Sequence, residues 1–109
     1  AEQIKEKEAT LIIAKLATAN FTVLLDEKGK DFSSLEFAAF LQKTMNAGTR
    51  ELCFIIGGAY GVAESVKQKA DLTLSLSRMT FTHQFIRLLL AEQLYRAMTI
   101  LKNEPYHNE

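Results

Sequence analysis

The sequence predicts an α/β fold with a mainly parallel sheet and helices on both of its faces. Three observations carry that prediction. Segments with helical periodicity alternate with short apolar runs, in the order αβαβαβα. The run ELCFII, residues 51–56, shows no polar alternation, which suits a central parallel strand covered on both faces. It passes directly into Gly57, Gly58 and Gly61, a turn at the carboxyl end of a strand, where open α/β sheets bind their ligands. No linker or repeat divides the chain, so residues 1–109 are expected to form a single domain.

The elements follow in order. Charged residues alternate with Ile4, Leu11, Ile12 and Leu16, which predicts an amphipathic helix before Asn20 that starts without a cap. The run FTVLL at 21–25 is short, β-prone and stopped by DEKGK, and reads as a strand followed by an exposed loop. The next helix is marked at both ends. Ser33 and Glu36 have capping-box spacing, Phe32 and Phe37 occupy the two staple positions, and Gly48 supplies a left-handed stop. VAESVKQKA, 62–70, has helical character, and DLTLSLS, 71–77, sets Leu72, Leu74 and Leu76 against Thr73, Ser75 and Ser77, a strand with one apolar face. The last helix spans about residues 83–102. Its apolar residues do not form one stripe, because Leu88 and Tyr95 lie roughly opposite Ala97 and Ile86 at about 100° per residue. The sheet covers one side; a second subunit is the economical cover for the other.

Composition narrows the function classes. Thirteen basic and thirteen acidic side chains cancel, so no general field draws the protein to nucleic acid or an anionic membrane, and any RNA contact must be local. With 109 residues and 48% hydrophobic content, the chain can form a core yet leaves much surface that a partner would cover. No apolar run reaches the length of a membrane span and AEQIKEKEAT lacks the apolar centre of a signal peptide, so a soluble cytoplasmic protein is expected. The single Cys53, inside LCFII, excludes an internal disulfide and reads as a buried structural thiol. No metal site is expected.

Glycine at 57, 58 and 61 lets a ligand lie directly on the backbone, although a tight turn with positive φ angles would use glycine equally well. The spacing G-G-x-x-G lacks the dinucleotide fingerprint's G-x-G start and its later acidic residue, and no Lys-Ser/Thr pair completes a P-loop. LSLSRMTFTHQ, 74–84, is a second strand running into a polar and aromatic turn. In a parallel sheet that turn shares an edge with Gly57 and with the loop after Leu25.

The segments TVLLDEKGK, FIIGGAYG, LSLSRMTFTHQ, RLLLAEQLYRA and the ending EPYHNE resemble the ribosomal RNA large-subunit methyltransferase H family, within the SPOUT class of knotted methyltransferases. The resemblance covers nearly the whole chain. It implies an α/β trefoil-knot fold, a homodimer with its site at the interface, S-adenosylmethionine as methyl donor, and N3-methylation of a pseudouridine in large-subunit rRNA on the assembled ribosome. By position, the family's cofactor contacts fall on Leu25, Gly57 and the run Leu76, Ser77, Arg78, Met79, Thr80, Phe81. Two departures stand out. The family carries about fifty further residues ahead of AEQIKEKEAT, so this chain is expected to be an N-terminally truncated version of the fold. It also commonly has proline where Thr82 stands, a position at which threonine can serve instead as an N-cap.

The implied reaction assigns roles. The acceptor N3 bears a proton that a base must remove, and His83, near the strand end, is the candidate; a helix-start histidine bonded to backbone is the alternative. Arg87 and Arg96 can bind phosphate, with Arg96 equally readable as a surface pair with Glu92 four residues before it. Tyr106 and His107 could stack on or bond to a flipped base across the dimer, or belong to a frayed terminus. Two other functions remain open: a truncated knotted domain that dimerises and binds the cofactor without catalysis, and an α/β nucleotide-binding domain without methyl transfer.

Overall fold

The computed structural model describes residues 21–57 and 62–108. Three strands, β1 (Phe21–Asp31), β2 (Leu52–Ile56) and β3 (Leu72–Ser75), alternate with three helices, α1 (Ser34–Asn46), α2 (Glu64–Lys69) and α3 (His83–Leu101). The strands lie in the order β2-β1-β3, and both pairings are parallel. The α/β alternation predicted over these residues is therefore present. The helix expected before Asn20, with Ile4, Leu11, Ile12 and Leu16, lies outside the described residues, as do Gly58 and Gly61.

Period-two alternation in β1 distributes the core between two layers. Val23 and Leu25 pack with Phe37, Ala38 and Leu41 of α1, Leu74 of β3, and Leu90 and Ala97 of α3. Leu24, between them, points the other way and packs with Ile55, Ala63 and Val66 beside α2. Helices thus cover both faces. Complete burial of Val23, Leu24, Val66 and Leu74 stabilises the sheet by about 1.5–3 kcal/mol for each side chain. Asp71 fastens the entrance: its carboxylate accepts the Thr22 N–H at 2.7 Å, and its own N–H donates to the Thr22 carbonyl at 2.8 Å.

Three expectations about the strands are corrected. ELCFII does not take the central position; among the described residues β1 is central, paired on both sides, and β2 flanks it. An unbroken apolar run reports that both faces are covered, which is true of β2, whose Phe54 and Ile55 join opposite core layers. It carries no information about which edge is paired. DEKGK, expected as a loop, belongs to β1, which runs on to Asp31. Leu25 and Lys30 both pair with Leu74, so residues 26–29 arch out of the ladder before the strand rejoins it. Such an arch is a bulge, which bends a strand without ending it. The β3 strand is in turn shorter than DLTLSLS, ending at Ser75.

The helix signals are borne out. Ser33 Oγ accepts the Glu36 N–H at 3.0 Å, while the Glu36 carboxylate accepts the Ser33 N–H at 2.8 Å. Those bonds hold the Glu36 carboxyl below its usual range, the Ser33 backbone bond first. Gly48, at φ +82°, makes the left-handed exit just past the Ala47 C-cap. Thr82 caps α3, its hydroxyl accepting the Phe85 N–H at 3.4 Å. Along α3 Ala97 is fully buried while Leu88 is 65% and Tyr95 57% exposed, which matches their predicted placement on opposite sides of the helix.

Candidate functional site

The carboxyl ends of the three parallel strands meet at one edge, and a cleft of about 970 Å³ lies there. Its size is within the range of small-molecule sites. Leu25 closes the regular part of β1, Ile56 and Gly57 the end of β2, and Leu76 follows β3; with Phe81 and Ile86 they make an apolar floor. The rim is polar, built from Asp26 and Glu27 of the β1 arch, Lys67 of α2, Ser77 and Thr80 of the turn, and His83 at the start of α3.

Short-range bonds shape the turn between β3 and α3. Ser75 Oγ donates to the Ser77 carbonyl at 2.9 Å, and Ser77 Oγ accepts the Met79 N–H at 3.0 Å. One long-range bond crosses to β1, where Glu27 Oε2 accepts the Thr80 hydroxyl at 2.5 Å. Phe81 and Phe85 approach with ring centroids 6.3 Å apart.

Most residues singled out from the sequence come together here. Leu25, Gly57, Leu76, Ser77, Met79, Thr80, Phe81 and His83 all line the cleft. Arg78 does not: its side chain is 86% exposed and reaches toward Asp31, 3.9 Å away. Arg87 is exposed on α3 and outside the lining.

Tyr106 and His107 belong to a second cluster farther along α3. The Tyr106 hydroxyl donates to Glu92 Oε2 at 2.6 Å, and Arg96 donates to Glu92 Oε1 at 3.0 Å and to His107 Nδ1 at 3.0 Å. The guanidinium also lies 4.8 Å from the Tyr106 ring centroid, and Tyr95 meets that ring edge-on at 4.9 Å. Since arginine only donates, His107 Nδ1 is the acceptor and the ring proton is on Nε2. Arg96, then Tyr106, hold the Glu92 carboxyl below its usual range. Glu92 in return raises both the Arg96 guanidinium and the Tyr106 phenol. The tail is fastened to α3, and the expectation of a frayed end does not hold at Tyr106 and His107.

The sequence reading overlooked Glu27, Asp26 and Lys67 as cleft residues. A signal existed for the first two: they directly follow Leu25, at the strand end already expected to share this edge. Lys67 had none, since its place depends on how α2 packs. Among the described residues no group of three His, Cys, Asp or Glu side chains is placed to hold a metal, and no helix is long and apolar enough to cross a membrane.

A family model described as predicted SPOUT methyltransferase matches residues 1–107. This chain belongs to the SPOUT methyltransferase family. The SPOUT methyltransferase is 56% identical over 106 residues to ribosomal RNA large subunit methyltransferase H of Christiangramia forsetii, covering 97% of this chain and 68% of that relative. It is 56% identical over 108 residues to the protein of the same name from Porphyromonas gingivalis, at 99% and 69% coverage. With that of Flavobacterium johnsoniae it shares 54% over 107 residues, at 98% and 68% coverage. The α/β SPOUT fold expected from the resemblance is thus the fold of this chain, and its cleft lies at the strand ends, beside Gly57.

Proposed function

We propose that this SPOUT methyltransferase is a single-domain, homodimeric cytoplasmic enzyme of trefoil-knotted topology. In this reading it transfers a methyl group from S-adenosylmethionine to N3 of a pseudouridine in large-subunit rRNA on the assembled ribosome. The observation that carries the reading is the gathering of Leu25, Gly57, Leu76, Ser77, Met79, Thr80 and Phe81 around one cleft. The names of the relatives support rRNA as the substrate class.

The cleft suits S-adenosylmethionine in its chemistry. An apolar floor of Leu25, Ile56 and Leu76 fits a purine face, and the rim of Glu27, Ser77 and Thr80 offers oxygen groups to a ribose and an amino-acid end. Gly57 keeps the wall free of side chains. When bound, the cofactor supplies an electrophilic methyl group on a sulfonium sulfur. The protein's share is then mainly orientation. His83, at the cleft in the first turn of α3, takes the N3 proton, a task matched to imidazole. Arg87, four residues on and so on the same helix face, binds a phosphate of the substrate strand.

Tyr106 and His107 enter from the partner. Their anchor at Glu92 is nine residues beyond His83 along α3, a distance of about 14 Å at 1.5 Å per residue. The exposed Leu88 and Tyr95 form the surface on which a second copy docks and brings its own tail to this cleft.

Balanced charge decides the form of the substrate. Arg78 and Arg87 reach few phosphates, and tight binding of free RNA needs many. Recognition therefore uses the shape of an assembled ribosome. The test offers labelled S-adenosylmethionine with naked rRNA, isolated large subunits or whole ribosomes. Methylation is expected on whole ribosomes. Equal rates on naked rRNA would overturn recognition by shape, cofactor binding with no methylation of any substrate would indicate a non-catalytic knotted domain, and preference for a nucleotide phosphate would indicate a nucleotide-binding domain.

A further inference from the structure

The β1 arch carries a side chain to which the family reading gives no role. Residues 26–29 leave the ladder between Leu25 and Lys30, and two contacts define their path. Asp26 Oδ1 accepts the Lys28 N–H at 2.9 Å, closing the first half of the arch. Gly29 then lies so near β3 that a Cβ would come within 2.7 Å of the Thr73 carbonyl. Between these fixed points stands Glu27, its carboxylate bonded to the Thr80 hydroxyl. Met79, beside Thr80, is 73% exposed, and the residues before it are held by short-range serine bonds and by the exposed Arg78–Asp31 pair at 3.9 Å.

We propose that Glu27 is a positioning residue for the cofactor site: through Thr80 it ties the Ser77–Phe81 turn to the β1 arch and keeps that turn in place as the wall of the cleft. The proposal rests on the reading of the cleft as the cofactor site. Its physical basis is that a carboxylate acceptor makes a stronger hydrogen bond than a neutral one, and that this bond joins segments 53 residues apart. Loss of the bond frees the turn to sample other conformations. Binding must then restore its order, which weakens affinity in proportion to the populated fraction of the closed form.

Calorimetry with S-adenosylmethionine on the whole chain tests the tie, using Glu27→Ala, Glu27→Gln, Thr80→Val and the Glu27→Ala/Thr80→Val pair. Glu27→Ala is expected to raise Kd by roughly five- to tenfold, the scale of one lost hydrogen bond. Glu27→Gln keeps an acceptor oxygen but loses the charge, so it should raise Kd by less than Glu27→Ala does. In the Thr80→Val background Glu27→Ala should add nothing further, since the bond is already gone. A second readout needs no ligand: amide exchange at Met79 should quicken in Glu27→Ala and less so in Glu27→Gln. Additive effects of the two substitutions, or unchanged affinity in Glu27→Ala, would overturn the proposal. If the parent chain fails to bind S-adenosylmethionine, the cofactor reading falls instead, and unchanged Met79 exchange in Glu27→Ala would overturn the tie itself.

Discussion

The two ends of α3 use their polar groups differently. At its start, His83, Ser77 and the bonded pair Glu27–Thr80 stand around the apolar floor of an open cleft. Nine residues on, Glu92, Arg96, Tyr106 and His107 close on one another, and Tyr95 meets the Tyr106 ring edge-on. An open arrangement leaves hydrogen-bonding capacity for a ligand; a closed one uses it within the chain. Tyrosine and histidine are therefore no guide to a site until their partners are known. The tail residues can serve the cleft only by exchanging partners or by meeting another copy.

The sharpest way to break this contrast is at the open end. Gly57→Val should put a branched side chain where the ligand meets the backbone and weaken S-adenosylmethionine by roughly a hundredfold or more, with modest loss of fold. Calorimetry and a thermal melt separate the two effects, and unchanged affinity would remove this turn from the site. Between the ends, Leu88→Glu should convert the proposed dimer to soluble monomer or destabilised protein by placing a charge on its proposed docking surface. Sedimentation at micromolar concentration reads the outcome; a parent chain that is already monomeric would contradict the shared site.

A smaller effect is expected at the closed end. Glu92→Gln removes the anion that holds both Arg96 and Tyr106, so amide exchange over residues 104–107 should rise severalfold while cofactor affinity changes by less than about twofold. Loss of cofactor binding in this variant would mean that the two ends are coupled within one chain. The smallest effect is on pH dependence. Glu92 is held below its usual range, so its contribution to stability is complete above the ordinary carboxylate range and is lost as pH falls through the lowered value. The Tyr106 phenol is raised, so its contribution is complete below the ordinary phenol range and is lost as pH rises through the raised value. Tyrosine ring resonances should report a fastened tail across the whole interval between. Release near neutral pH would contradict the direction of both shifts.

What could be read from the sequence was mostly local. The Ser33 and Glu36 cap, the Gly48 exit, the Thr82 cap and the bounds of α3 each depend on residues within a few positions of one another. The cleft was legible too, because strand ends in a parallel sheet share an edge whatever the details. The β1 arch was not. Its path depends on Gly29 lying against the backbone of Thr73, a contact between residues far apart in the chain, and DEKGK alone has the composition of a loop. For the same reason the Glu27–Thr80 bond and the attachment of Tyr106 to Glu92 could not be seen, although Glu92 and Arg96 at i, i+4 were a visible pair. The position of β2 beside β1 follows from pairing partners, which an apolar pattern does not encode.

About 14 Å of helix between His83 and Glu92 leads to an expectation in genetics. On the proposal that each site is built from the cleft of one copy and the tail of the other, two inactive alleles should rescue each other. One allele carries Gly57→Val; the second carries Tyr106→Ala and His107→Ala. Random mixing of the two chains makes half of the dimers heterodimers, and each of these has one site in which cleft and tail are both intact. Cells expressing both alleles should then recover about one quarter of the parental sites. A site confined to a single chain would recover none.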